Sequence, residues 1–192
     1  MSAQQAGYWL WGAFYVTWWI PALWAAKTTA RPARGAQMAD RLLGMIGAIL
    51  LFAVPVDGSR RIAAMAPLWR APAWVDWSFV ALIAAAFAFC WWARVHLGRL
   101  WSGLVTVKAD HRIVDTGPYG LVRHPIYSGV IVAFLGLGLL RASPAALLGV
   151  AVLTVGFWMT ARKEERFLRQ ALGQQAYDDY SRRTPMLAPF LR

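Results

Sequence analysis

The sequence holds one cysteine, three histidines and only nine acidic residues in 192 positions. A single cysteine excludes an intramolecular disulfide, and Cys90 lies inside an apolar run, where a small buried or lipid-facing hydrophobe is expected. His96, His111 and His124 are too scattered, with that one cysteine, to give a metal-ligand spacing, so no metal site is expected. Charge is scarce as well: 15% of residues are charged, against about 25% in an average soluble domain. Neither a P-loop nor a GxSxG motif is present. Gly136 and Gly138, in "FLGLGLL", sit in an apolar run with no strand before them, which reads as helix packing and not as a nucleotide fingerprint.

What is abundant is apolar surface, at 59% of residues, with twelve tryptophans. The predicted fold is an all-α integral membrane protein of about five transmembrane helices. Met1–Ala26 is free of charge, carries no basic n-region of a cleaved signal, and is long enough to span. Leu42–Val56, Trp77–Ala93, Ile126–Leu140 and Ala142–Ala161 follow. The last two are separated by Arg141 and the breaker "RASPAA", which predicts a C-terminal helical hairpin. From Arg162 to Arg183 the pattern predicts a cytoplasmic amphipathic helix, with Phe167, Leu168, Ala171 and Leu172 on its apolar face.

The formal charge of +11 would suit nucleic acid in a soluble protein. Here the basic residues lie in the connections between apolar runs, so membrane lipids, not nucleic acid, are the expected partner. Lys27, Arg31, Arg34 and Arg41 in one short connection, Arg94–Arg123 and the C-terminal tail would share one side, which makes that side cytoplasmic and places the N-terminus outside. Arg60, Arg61 and Arg70 oppose this bias from the other side.

The most punctuated stretch, "GPYGLVRHPIYSGV" at residues 117–130, opens the fourth run. Gly117-Pro118 forms a turn, and Pro125 suits the first turn of a helix because its missing N–H would be unpaired there. Such a helix start, with Arg123 and His124 beside it, attracts anions. For Arg123 alone, headgroup anchoring and a functional role are equally open; for the whole constellation function is favoured. Tyr119 and Tyr127 flank the pair. The hairpin would bring Glu164 and Glu165 near Pro125, either as a surface ion pair with Arg162, Lys163 or Arg169, or as functional acids.

These residues together resemble the isoprenylcysteine carboxyl methyltransferase family and its phospholipid methyltransferase relatives. The resemblance runs from Trp101 to Pro189. It comprises "WS" at Trp101-Ser102, "H-x-[IL]-V" at His111–Val114, "G-x-Y-x-x-x-R-H-P-x-Y-x-G" at Gly117–Gly129, "EE" at Glu164-Glu165 and "G-x-x-x-Y-x-x-Y" at Gly173–Tyr180. It implies a membrane enzyme that uses S-adenosylmethionine and releases S-adenosylhomocysteine. One domain, 1–192, would then supply transmembrane helices from 1–100 and the cofactor-binding catalytic region from 101–192. By similarity His111, Ile113, Val114, Tyr119, Arg123, His124, Pro125, Tyr127 and Glu164 would bind the cofactor, Glu164 through its amino group. Arg162 and Tyr177 would contact substrate, and no catalytic base is assigned.

The expected location is a bacterial inner membrane, with the active site facing the cytoplasm and a lipophilic or lipid substrate arriving from the bilayer. Family members acting on prenylcysteine carboxylates have an arginine four residues before the cofactor-binding glutamate; here that position is Thr160. The acceptor is therefore open among an isoprenylcysteine-like carboxylate, a lipid amine, a thiol and an alcohol. A related membrane reductase using NADPH would carry Asn and Asp where this chain has Ile126 and Val130. A non-catalytic membrane subunit is the third alternative, against which stands the intact set of polar residues.

Overall fold

A computed structural model describes residues 1–20, 28–30, 38–52, 63–101, 107–108 and 113–189. Helices stand at all five expected apolar runs: α1 (Ala3–Trp18), α2 (Met38–Phe52), α3 (Ala73–Leu97), α5 (Pro125–Arg141) and α6 (Pro144–Leu172), with short α4 (Pro118–Leu121) ahead of α5 and α7 (Gln174–Arg183) after α6. Residues 21–26 and 53–56, at the ends of the first two runs, lie outside the described residues, as do Arg31 and Arg34. The described strands are one short antiparallel pair, Thr28–Ala30 with Val107–Lys108. Among the described residues, two helices are long and apolar enough to cross a membrane, Pro144–Leu172 and α3 extended to Leu100, and α5 is a shorter apolar helix.

Local chemistry sets the boundaries. Ser2 and Gln5 form a reciprocal capping box at the start of α1. The α5–α6 reversal puts Ala142 in the left-handed region at φ 52°, and the Ser143 hydroxyl caps α6 by accepting from the Ala146 amide, with Pro144 in the first turn. The C-terminal pattern does not form a single helix. α6 continues unbroken to Leu172, then Gly173 takes φ 97°, a conformation that ends the helix and lets α7 leave in a new direction.

α3 packs along α5 and α2 along α6, while α1 lies against α3 and α5. Small residues let the backbones approach: a Cβ at Gly149 would stand 2.8 Å from both the Gly47 carbonyl oxygen and the Leu51 amide of α2. Gly136 packs in the same way against Ile83 of α3. Between the helices lies an apolar centre of Leu51, Ile83 and Leu137, roofed by Trp11 stacked on Phe134 at 4.5 Å. The hairpin thus has a fixed register, and the polar residues flanking its two helices meet at one end.

Candidate functional site

Gly117 begins the site. Its φ of 57° favours glycine, and the His96 ring stands 2.8 Å from where a Cβ would be. His96, from the last turn of α3, also shares a 2.9 Å hydrogen bond with the Thr116 hydroxyl and stacks on Tyr119 at 6.3 Å. The end of α3 therefore fixes the turn that aims Tyr119 inward.

Arg123 and His124 lie between α4 and α5, facing Glu164 and Glu165 on α6. Neighbouring residues on a helix point about 100° apart, so the two glutamates take different roles. Glu165, 9% exposed, accepts from Arg123 Nε at 2.6 Å and from His124 Nε2 at 3.3 Å. Burial pushes its carboxyl pKa up, but the hydrogen bonds from His124 and Arg123 outweigh that and hold it at about 2. Glu164, 26% exposed, accepts from the Tyr127 hydroxyl at 2.8 Å, and His124 Nδ1 stands 3.7 Å away. The His124 and Tyr127 rings stack, 3° from parallel and 5.3 Å apart.

α7 and the chain beyond it close this arrangement. Arg123 Nη1 donates to the Ser181 carbonyl at 3.0 Å and to the Thr184 carbonyl. The amides of Arg123 and His124 donate to the carbonyls of Pro185 (2.9 Å) and Met186 (3.1 Å), and the Tyr180 hydroxyl donates to the Tyr119 carbonyl at 2.7 Å. Burial pushes the hydroxyls of Tyr119, Tyr177 and Tyr180 well up, so all three remain protonated donors near neutral pH.

Between these walls lies a cavity with about 840 Å³ of empty space, its open mouth included. Of the residues expected at a cofactor site, Ile113, Val114, Tyr119, Arg123, His124, Pro125, Tyr127 and Glu164 all line it, and so does Tyr177. His111 lies outside the described residues. Arg162 does not line the cavity; it is on another face of α6 with its guanidinium over the Trp158 ring. Thr160 donates to the Gly156 carbonyl at 3.0 Å.

Leu97, Leu100, Ile126, Leu168 and Leu172 also form walls and carried no chemical signal in the sequence. Leu168 and Leu172 could have been found from Glu164, since steps of four stay near one helical face. Trp101 is a further wall, backed by the buried Arg94 guanidinium 4.1 Å from its ring centre. Among the described residues, no group of three metal-ligating side chains converges.

Chemically, the cavity offers one exposed carboxylate held by a neutral hydroxyl, a set of aromatic faces and an apolar lining. Arg123 brings a cation whose charge Glu165 already balances. Such a cavity suits a ligand with a cationic group and a flat apolar ring.

The sequence profile of the phospholipid methyltransferase family matches residues 77–175, just over half of the chain. The cobalt-zinc-cadmium resistance protein CzcN of Cupriavidus metallidurans is 38% identical over 100 residues, covering 50% of this chain and 44% of that protein. Protein-S-isoprenylcysteine O-methyltransferase B of Arabidopsis thaliana is 30% identical over 102 residues, covering 52% of this chain and 51% of that protein. The nickel-cobalt-cadmium resistance protein NccN of Alcaligenes xylosoxydans xylosoxydans is 34% identical over 122 residues, covering 62% and 55%. The chain spans about half the length of these curated relatives. The matched family region runs from within the first turns of α3 through α6 and hence takes in both glutamates, but stops short of Tyr177 and Tyr180.

Proposed function

The chain belongs to the phospholipid methyltransferase family, and from that premise we propose that it is an S-adenosylmethionine-dependent membrane methyltransferase acting on a bilayer-partitioned acceptor. The observation that carries the reading is the convergence of Tyr119, His124, Tyr127 and Glu164 on one cavity at the end of the apolar hairpin. Five membrane crossings, with this end on the cytoplasmic side, are part of the same proposal.

The residues fit three of the methyl donor's four recognition groups, its ammonium, sulfonium and adenine. Glu164 suits the ammonium, because its carboxylate is exposed to the cavity and its closest described partner is a neutral hydroxyl. Tyr119, Tyr127, Tyr177 and Trp101 supply faces for the adenine and the sulfonium. The donor's carboxylate is the looser fit, since Glu165 already takes both Arg123 and His124; the first-turn amides of α5 are the groups left to meet it. When bound, the cofactor supplies an electrophilic methyl group on sulfur.

The chain's own work is then orientation and exclusion of water. Tyr127 fixes the Glu164 carboxylate through its hydroxyl, and His124 backs Tyr127 by ring stacking. Tyr177 and Tyr180 of α7 cover the cavity from the tail side, and Arg123 clamps that tail in place. Methyl transfer is a displacement in which a lone pair of the acceptor forms the new bond to the methyl carbon as the bond to sulfur breaks, so alignment is the chain's main contribution.

The acceptor is further constrained. Thr160 offers no counter-ion and Arg162 points elsewhere, so a lipid amine, thiol or alcohol suits the site better than an isoprenylcysteine carboxylate. The names of the metal-resistance relatives describe what those proteins confer and bring no reaction to this chain.

Titration of purified protein with S-adenosylhomocysteine tests the donor half. Saturable binding is expected, and absence of binding at millimolar ligand refutes the reading. Incubation with labelled S-adenosylmethionine and host lipid extract, followed by mass identification of the labelled product, then names the acceptor.

A further inference from the structure

Arg162 is left over from the cavity, and its surroundings give it another role. Beyond its apolar stretch α6 carries Arg162, Arg166 and Arg169, spaced to share one face. That face borders a second concavity with about 910 Å³ of empty space, its open mouth included, with Trp158 and Met159 at its apolar end.

The cations here are not equivalent. Arg169 pairs with Asp178 at 2.7 Å, and Lys163 bridges to Asp40 of α2 at 2.8 Å. Glu165, the acid of this groove, is engaged by Arg123. Arg162 stacks over Trp158 at 5.1 Å, and Arg166 is exposed. Among the described residues neither Arg162 nor Arg166 pairs with a carboxylate. Two guanidiniums one turn apart thus lie uncompensated where the apolar part of the helix ends.

We propose that this groove binds the phosphodiester headgroup of an anionic phospholipid, with Arg162 and Arg166 as its ligands. Guanidinium donors match phosphate oxygens in pairs, and one phosphate can span two arginines a turn apart. Trp158, 44% exposed, sits one turn nearer the apolar stretch than Arg162; with α6 crossing the membrane as proposed above, that is the depth where tryptophan meets the headgroup–acyl boundary. That apolar end distinguishes a lipid from free phosphate, which has no use for Trp158 or Met159. The groove is separate from the methyl-donor cavity, so the proposal holds whatever occupies that cavity.

The test measures lipids retained by the full chain after extraction from nanodiscs of phosphatidylcholine and phosphatidylglycerol. The wild type is expected to retain phosphatidylglycerol in excess, and R162Q/R166Q to lower the ratio roughly thirtyfold, at the usual surface contribution of each arginine. Equal retention of the two lipids by wild type, or an unchanged ratio in R162Q/R166Q, overturns the proposal. Displacement of phosphatidylglycerol by millimolar inorganic phosphate overturns the lipid assignment in favour of a free-anion site. Should the double variant fail to fold, R166Q decides alone. Its site is exposed, and a drop of about fivefold is expected; no drop overturns the proposal.

Discussion

Glu164 and Glu165 are neighbours of the same type, yet the structure predicts that neutralising them has opposite consequences. In Glu165→Gln the guanidinium of Arg123, 11% exposed, loses its carboxylate while its other contacts are main-chain carbonyls. Removing one member of a buried pair costs about 3–5 kcal/mol, and the amide oxygen that remains puts this change near the lower bound. At roughly 2–4 °C per kcal/mol for a chain of this size, the melting temperature should fall by about 6–12 °C. Glu164→Gln keeps an acceptor for the Tyr127 hydroxyl at a site open to the cavity, so its stability cost should stay below about 1 kcal/mol. Its affinity for S-adenosylhomocysteine, however, should drop by about 1–3 kcal/mol, or roughly fivefold to 150-fold. The assay is thermal unfolding of each variant in one detergent, with ligand titration well below the melting point. Equal melting temperatures for the two single variants would refute the division of roles, and so would a Glu165→Gln protein as stable as wild type.

Stability should also follow the Glu165 carboxyl with pH. Its folded pKa of about 2 lies below the unfolded value of about 4.3, so its contribution is complete above that value and fades as pH falls toward 2; unfolding of wild type measured between those limits should show a decline that Glu165→Gln lacks. Gly117→Ala should cost about 1–3 kcal/mol from the positive φ alone, visible in thermal unfolding. Adding His96→Ala should relieve the contact with the ring but not that strain, so G117A/H96A stays less stable than H96A. Asp40→Asn should destabilise by about 1.5–3 kcal/mol, since the 8%-exposed carboxylate takes the Lys163 ammonium with both oxygens. The exchange D40K/K163D, measured in the same unfolding assay, should recover part of that loss.

Much of the fold was legible because apolar run length and breakers are one-dimensional signals. "RASPAA" contains a hydroxyl cap and a first-turn proline in the correct order, and the structure uses Ser143 and Pro144 in those capacities. Gly136 and Gly138 read correctly as packing positions, with Ile83 and Val150 as the neighbours that need the space. The break at Gly173 was not legible in the same way. An amphipathic pattern continues through it, and only the backbone geometry shows that the apolar face of α6 ends there while α7 turns back over the cavity. The apolar walls were silent for a different reason: at a membrane edge a leucine facing a cavity and a leucine facing lipid have the same composition.

For Arg123 the chemistry was read but its partner was not. A cation beside a helix start suggests an anionic ligand, and sequence alone cannot show that Glu165 of the same chain already supplies the anion. Nor does anything in "TPMLAP" signal that its carbonyls will take the amides of Arg123 and His124. These two omissions have one consequence. The guanidinium, its neighbouring amide and the Tyr119 carbonyl all hold the segment after α6, and Tyr177 and Tyr180 reach the cavity on that segment. On the proposed function, Arg123 therefore acts on a ligand chiefly by holding the cover, while the direct electrostatic contact falls to Glu164. On this logic a loss at Arg123 loosens α7 and lets water reach the cavity, whereas a loss at Glu164 leaves the cover closed over a site that no longer attracts a cation.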